Sequence, residues 1–255
     1  MTVKKKKIGL TLSGGGARGF AHVGVLKALE EYNMLPEVIS GTSMGAVIGA
    51  LIAYGYTFSD IEKMALNKTS LKIFNVRGFK LGLSNHNYVR RTLESILPDT
   101  FEKLKLPFYV SATNLTTAKH EVFSSGNLIE AILASVSIPL VFKPVNINGN
   151  YYADGGLVKN LPASSIRDKC NFLIGSHVNH IPEDFTLTKT AQLLDRAIRI
   201  SIYNTVASEI TLCDMLIDPV ECGSYDVLNF KIFDKIVATG YVATMKELKK
   251  LKLRY

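Results

Sequence analysis

The sequence lacks the features that define several large classes of protein. Its three cysteines, Cys170, Cys213 and Cys222, lie far apart without C-x-x-C spacing. This argues against a disulfide framework or a zinc site and favours reduced thiols in the cytoplasm. No apolar run approaches the roughly 18 residues that a membrane-spanning helix needs. Because an Asp- and Asn-rich loop of the EF-hand type is also missing, we expect no metal or other cofactor.

Basic residues are concentrated at the two ends of the chain. Lys4–Lys7 precede the apolar stretch Ile8–Leu12, which is too short for a signal peptide and lacks a small-residue cleavage site, so residues 1–7 are predicted to be a basic tail. Lys246–Tyr255 carries further lysines. The net charge of +8 fits a well-solvated surface or, as the functional alternative, attraction to an anionic membrane. No basic motif interleaved with aromatic residues supports nucleic acid. We expect a cytoplasmic protein, with the inner membrane surface as the alternative location.

Short apolar runs alternate with helical patterns along the chain. This alternation predicts an α/β fold, with a single domain over residues 8–255 and a central, mostly parallel sheet covered by helices on both faces. Residues 67–85 are expected to be irregular, and Ser59 with Glu62 predicts a capped helix start. Strands are predicted at Ile8–Leu12, Val38–Ser40, Phe108–Ala112, Glu121–Phe123, Tyr151–Ala153, Phe172–Gly175 and Met215–Asp218, and helices at Phe20–Tyr32, Ala46–Tyr54, Tyr88–Leu97, Leu128–Val136, Lys189–Leu212 and Phe230–Lys252.

The segment Gly41-Thr42-Ser43-Met44-Gly45 has the pattern G-x-S-x-G and lies between a predicted strand and a predicted helix. In this context the glycines allow a tight turn, from which the serine hydroxyl projects at the N-terminus of the helix. This arrangement is a nucleophile elbow. Ser43 is therefore the candidate nucleophile.

A second glycine-rich segment, Gly14-Gly15-Gly16-Ala17-Arg18-Gly19, follows the first predicted strand. It matches the G-x-G-x-x-G pattern of a dinucleotide site, but the acidic residue that would bind the ribose is missing, because Glu37 precedes the second strand instead of ending it. An oxyanion hole is the alternative, in which the N–H groups of Gly15 and Gly16 converge on a developing alkoxide. A tight strand-to-helix turn without a further role is the third interpretation.

A serine nucleophile needs a group that activates it. His177 and His180 follow every plausible acid, so the Ser–acid–His order of α/β-hydrolases stays open, although neither lies in a motif. His22 falls in the first predicted helix, where packing is the simpler role. Asp154 ends a predicted strand and is followed by Gly155-Gly156, a backbone that can bring a carboxylate close to another turn.

Together, the glycine loop, the elbow and Asp154-Gly155-Gly156, in this order, resemble the patatin-like phospholipases. Ala134–Phe142 also resembles that family's A-S-x-x-x-P-x-x-F block. The resemblance covers about residues 8–165 and implies a three-layer sandwich. Residues 166–255 carry none of these motifs, so their role stays open, and they are predicted to pack on the same domain as a helical remainder. It further implies a Ser–Asp dyad without histidine, in which Ser43 is the nucleophile and Asp154 the activating group. Gly14–Gly19 would form the oxyanion hole, with Arg18 near it.

The activity that the resemblance implies is a serine acyl hydrolase that cleaves lipid esters of the phospholipid or lysophospholipid type through an acyl-enzyme. An acyltransferase and a non-catalytic membrane-surface protein are the alternatives. An aspartate with an ordinary pKa of about 4 is a weak base for serine. The dyad therefore requires an apolar wall, for which Tyr151, Leu157 and Val136–Phe142 are the candidates, or backbone dipoles that stabilise the alkoxide.

Overall fold

The computed structural model describes residues 7–66, 86–184, 186 and 190–252. The segment 67–85 and Lys4–Lys6 lie outside the described residues. Within them, the helices are α1 (Ala21–Glu31), α2 (Met44–Tyr54), α3 (Phe58–Leu66), α4 (Asn87–Glu94), α5 (Leu128–Ser135), α6 (Thr190–Ile210) and α7 (Phe233–Lys252), and the strands are β1 (Ile8–Leu12), β2 (Val38–Thr42), β3 (Phe108–Asn114), β4 (Lys119–Phe123), β5 (Val145–Ile147), β6 (Asn150–Asp154), β7 (Phe172–Ser176) and β8 (Met215–Ile217).

All eight of these strands join one mixed sheet. β3, β2, β1, β7 and β8 run parallel in that order, and β4, β5 and β6 add antiparallel pairings at the β3 end. The mostly parallel α/β sheet predicted from the sequence is therefore confirmed. β7 and β8 come from the segment after residue 166, so that segment contributes strands to the sheet as well as helices.

The two faces of the sheet carry unequal cores because side chains alternate along each strand. Ile39 and Ile174 point into the larger cluster, which α1, α2, α5 and α7 help to bury. Their neighbours Val38 and Leu173 point to the opposite face, where they pack with Ile166 in a smaller cluster beside the C-terminal end of α6. Helices thus cover both faces.

The strand β3 brings two distant strand ends together. It pairs with β2 along residues 108–111, with β6 along 112–114 and with β4 along 110–114. The residues of β3 that pair with β4 include residues that also pair with β2 and with β6. β4 therefore lies along one edge of β3, and β2 and β6 lie along the other edge. β2 is parallel to β3 and β6 is antiparallel, so the carboxyl ends of β2 and β6 point at each other. The residues just after β2 and at the end of β6 are consequently neighbours.

Several boundaries differ from the prediction. The helix predicted to open at Ser59 begins at Phe58, and its capping box is formed by Thr57 and Asp60. The Thr57 N–H donates to the Asp60 carboxylate at 3.0 Å, and the Asp60 N–H donates to Thr57 Oγ1 at 3.3 Å. The closing helix starts at Phe233, after a 3-10 turn at Phe230–Ile232. Among the helices that the structure describes, none is long and apolar enough to cross a bilayer.

Candidate active site

Ser43 lies in the turn between β2 and α2, with φ 53° and ψ −122°. This backbone conformation is strained for a residue with a Cβ atom and is typical of functional sites. The flanking glycines make the turn possible. A Cβ atom on Gly41 would lie 2.4 Å from the Gly45 carbonyl oxygen, and one on Gly45 would lie 2.4 Å from the Leu12 carbonyl oxygen. The G-x-S-x-G spacing therefore follows from backbone contacts on both sides of the serine.

Ser135, at the end of α5, stabilises this turn through hydrogen bonds. The Ser43 N–H donates to Ser135 Oγ at 2.8 Å, and the Ser135 hydroxyl donates to the Ser111 carbonyl at 2.7 Å. The elbow is thereby linked to β3 through a buried side chain. Sequence reasoning did not single out Ser135, although the A-S-x-x-x-P-x-x-F block contained it.

Asp154, the last residue of β6, faces this serine. Its backbone N–H donates to the Ser137 carbonyl at 2.9 Å, and its Oδ1 accepts the Gly156 N–H at 2.8 Å. Burial raises the pKa of Asp154 to about 6, although hydrogen bonds from the Ser43 hydroxyl and the Gly156 N–H oppose the rise. The result is a carboxylate that is a stronger base than an ordinary aspartate.

The predicted apolar wall is incomplete. Tyr151 and Leu157 are 52% and 48% exposed rather than buried against the carboxyl group. The 136–142 block does reach Asp154, through the Ser137 carbonyl, and a Cβ atom on Gly155 would lie 2.5 Å from the Ser111 carbonyl oxygen. Close backbone packing against β3 and this block therefore accompanies the burial of the carboxyl group.

The glycine loop follows β1 and passes over the elbow. Three of its N–H groups donate to protein carbonyls, Gly14 to Asn160 at 3.1 Å, Ala17 to Val227 at 2.8 Å and Arg18 to Gly15 at 3.1 Å. Among the described residues, Gly15 and Gly16 thus keep N–H groups without a protein acceptor.

The position of Gly16 requires a residue without a side chain. Its φ of +54° is left-handed, and a Cβ atom would lie 2.3 Å from the Val227 carbonyl oxygen. The segment after β8 therefore lies directly against the loop.

Arg18 is buried and holds the glycine loop in place. Its Nε donates to the Tyr225 carbonyl at 2.7 Å, and its Nη1 lies 3.4 Å from Asn179 Oδ1. Asn179 in turn donates from Nδ2 to the Gly14 carbonyl at 2.6 Å. The region beyond residue 166, for which the sequence offered no role, thus fixes the loop beside Ser43.

The histidines contact other groups. His22 donates from Nε2 to the Ser13 carbonyl at 2.9 Å and accepts from the Ser176 hydroxyl at Nδ1, 2.8 Å away. Burial lowers its pKa to about 4, so His22 is neutral and ties α1 to β1 and β7. His177 and His180 lie 3.7 and 2.8 Å from the Asp218 carboxylate. Across the described residues, no hydrogen bond joins Ser43 to a histidine, and no group of three His, Cys, Asp or Glu side chains could hold a metal ion.

A serine on a strand–turn–helix elbow, beside a buried carboxylate and a glycine loop, resembles the nucleophile elbow of serine hydrolases. The patatin-like phospholipase family model matches residues 10–166. The chain belongs to this family.

Relatives of the chain are much longer than it is. A lysophospholipase NTE1 of Kluyveromyces lactis is 32% identical over 193 residues, which cover 71% of this chain and 13% of that protein. A lysophospholipase nte1 of Emericella nidulans is 27% identical over 97% of this chain and 18% of its own length. Among solved structures, VipD from Legionella pneumophila superposes with a TM-score of 0.61 at 16% identity, covering 96% of this chain and 67% of that chain. VipD therefore supports the fold.

Proposed function

We propose that the protein is a serine acyl hydrolase that cleaves lipid esters of the phospholipid or lysophospholipid type. The observation that carries the proposal is that the Ser43 hydroxyl donates a hydrogen bond to the Asp154 carboxylate. Burial raises the pKa of this carboxyl group to about 6. Membership of the patatin-like family and the lysophospholipase names of the fungal relatives support the substrate class.

In the proposed reaction, Asp154 takes the proton of the Ser43 hydroxyl while Oγ attacks the ester carbonyl carbon. The carbonyl oxygen becomes an oxyanion, which accepts hydrogen bonds from the N–H groups of Gly15 and Gly16. When the tetrahedral intermediate collapses, the alcohol leaves with the proton from Asp154 and the acyl group stays on Ser43. Water then attacks the acyl carbon of the acyl-enzyme and gives one proton to Asp154. When this second tetrahedral intermediate collapses, the bond to Ser43 Oγ breaks, Asp154 returns the proton to Oγ, and the fatty acid leaves.

The raised pKa of Asp154 makes this single-base mechanism reasonable. A general base is most effective when its pKa lies near the working pH. At neutral pH a group with a pKa of about 6 is still mostly ionised, yet binds a proton much more strongly than an ordinary aspartate. The hydrogen bond from Gly156 N–H to Oδ1 keeps the carboxylate oriented through the cycle.

The test is the substitution Ser43→Ala, assayed with lysophospholipid and with a short chromogenic ester. Turnover should fall roughly 10⁴-fold or more, since only the nucleophile is removed. Ser208→Ala, at an exposed position on α6, is the matched control and should retain turnover. A fluorophosphonate probe should label the wild-type protein and Ser208→Ala but not Ser43→Ala. Wild-type protein that neither turns over ester nor takes the label would instead support a non-catalytic role.

Hydrolysis and acyl transfer share the acyl-enzyme, so the products must separate them. With an excess of a lipid alcohol acceptor, a hydrolase should still release mainly free fatty acid, whereas a transferase should release mainly the transferred ester. We propose hydrolysis on the strength of the lysophospholipase names of the relatives.

We also propose that the protein contacts an anionic membrane at the periphery. Three apolar residues from segments that form the site are exposed, Leu140 at 77%, Leu157 at 48% and Val158 at 36%. Leu157 and Val158 follow Asp154-Gly155-Gly156 directly, and exposed apolar groups beside a lipid site suit contact with acyl chains. The lysines at both ends of the chain would add electrostatic attraction to anionic headgroups.

A further inference from the structure

Asn160 lies where the loop after Asp154 meets the glycine loop, and it is 3% exposed. Its carbonyl accepts the Gly14 N–H at 3.1 Å, and its own N–H donates to Thr205 Oγ1 at 3.3 Å. The main chain of Asn160 is therefore fixed from two sides, by the glycine loop and by α6.

The Asn160 side chain packs against two of the motif glycines. A Cβ atom on Gly14 would lie 2.5 Å from Asn160 Oδ1 and 3.1 Å from Ser43 Cβ. A Cβ atom on Gly156 would lie 3.0 Å from Asn160 Oδ1 and equally 3.0 Å from Asp154 Oδ1. Asn160 Oδ1 thus lies close to Ser43 Cβ and to Asp154 Oδ1, in space that these two glycines leave open, and Nδ2 is the other polar atom of the same amide group.

The amide nitrogen of Asn160 is a buried donor. Within the part of the chain that the structure describes, Nδ2 has no hydrogen-bond partner. A buried donor without an acceptor destabilises the folded protein, and in native structures each case calls for an explanation such as a catalytic role. A neutral N–H donor beside a serine nucleophile suits an oxygen that gains negative charge during the reaction.

We propose that Asn160 is a further catalytic residue, whose Nδ2 donates a hydrogen bond to the acyl oxygen of the ester as that oxygen becomes negative. The inference rests on the proposed acyl hydrolase function. Together with the N–H groups of Gly15 and Gly16, it gives the oxyanion three donors. Because Nδ2 gains its acceptor in the transition state, the interaction lowers the barrier more than it tightens substrate binding.

Two substitutions test this role. Asn160→Leu keeps the approximate volume of the side chain but loses the donor and introduces no titratable group, whereas Asn160→Ala removes the whole amide. Both should lower kcat roughly 10²–10³-fold with little change in KM, the effect of losing one oxyanion-hole donor. Ser208→Ala, at an exposed position on α6, is the control that should retain turnover. Thr205→Val separates the backbone from the side chain, because it removes the acceptor of the Asn160 backbone N–H but leaves the amide in place, so it should lower kcat much less than either Asn160 variant.

The affinity for a transition-state analogue distinguishes an oxyanion donor from a residue that only stabilises the fold. A trifluoromethyl ketone with a fatty acyl chain forms a hemiketal with serine and presents an oxyanion. Its inhibition constant should weaken in the Asn160 variants in proportion to the loss in kcat/KM, while the affinity for free fatty acid should not change.

Three outcomes would overturn the inference. Wild-type kcat in both Asn160 variants would exclude the donor, and an equal loss of kcat in Thr205→Val would assign the effect to the backbone. In Asn160→Ala, the apparent pKa of the acid limb of the pH profile could rise while the limiting kcat stays unchanged. That result would mean that the amide donates to the Asp154 carboxylate and not to the oxyanion. Failure of the proposed function is recognised separately, because wild-type protein would then neither hydrolyse ester nor take the fluorophosphonate label.

Discussion

Replacing Asp154 by Asn should abolish turnover and at the same time stabilise the protein. Burial raises the pKa of Asp154 from 3.8 to about 6, so its charged form is less favourable in the folded protein than in the unfolded chain. At 1.36 kcal/mol for each pH unit, the rise corresponds to a cost of about 3 kcal/mol once the group is ionised in both states. Asn carries no charge and retains an oxygen that can accept the Gly156 N–H.

The stabilisation should depend on pH in a defined direction. Below about pH 4 the carboxyl group is protonated in both states, so Asp154→Asn and the wild type should differ little. Between pH 4 and 6 the free energy of unfolding of the wild type falls relative to that of the variant, because the carboxyl group ionises in the unfolded chain before it ionises in the folded protein. Above pH 6 the variant should be more stable by about 3 kcal/mol, which is an increase in Tm of roughly 6–12 °C for a domain of this size.

Thermal unfolding between pH 4 and 8 and the pH dependence of kcat/KM measure the two consequences. Wild-type kcat/KM should fall as the pH drops through about 6, where Asp154 becomes protonated. Asp60→Asn is a control whose stability should change in the opposite direction. Hydrogen bonds from the Thr57 hydroxyl and N–H lower the pKa of Asp60, so loss of the Asp60 carboxylate should destabilise the protein at pH 8. A variant Asp154→Asn that is less stable than the wild type at pH 8 would refute burial as the cause of the raised pKa.

Three further predictions concern the glycine loop, the histidines and the membrane. Gly15→Ala should lower turnover roughly 10²–10³-fold by displacing an oxyanion donor, and unchanged turnover with a reduced Tm would support the plain tight turn instead. His180→Asn should retain turnover, because His180 pairs with Asp218; a loss comparable to that of Asp154→Asn would revive a Ser–His–Asp triad. Deleting residues 1–6 should weaken co-sedimentation with anionic vesicles at low salt, and sedimentation that depends on neither lipid charge nor salt would leave these lysines as solubilising surface.

The strands and helices that pack in the interior could be predicted from the sequence. Ile8–Leu12 is a strand with the predicted bounds, and Leu128–Val136 is one residue longer than α5, because these segments carry a clear apolar pattern. The three-residue strand Val145–Ile147 was missed, since it holds only two apolar side chains and lies between Pro144 and Asn148-Gly149, residues typical of turns. The cap of α3 was misplaced because Thr57 with Asp60 and Ser59 with Glu62 both have capping-box spacing.

The candidate site could be predicted as a set of motifs but not as a set of contacts. The sequence placed Ser43 and Asp154 in motifs, and the structure adds that both are joined through β3. The conformation of the glycine loop, which leaves the N–H groups of Gly15 and Gly16 without an acceptor among the described residues, is held by two residues far along the chain. The Asn160 carbonyl accepts the Gly14 N–H, and the Val227 carbonyl accepts the Ala17 N–H. Local patterns hold no signal for such partners.

The shared edge of β3 has a consequence for how this family can vary. Ser43 and Asp154 are about 110 residues apart in the chain, yet the spacing of their backbones is set by the register of a single strand. The connection from the end of α2 to β3 can therefore lengthen, shorten or change composition while Ser43 and Asp154 keep their separation. Under the proposed function, substrate preference can then change without a change in the spacing of the nucleophile and its base.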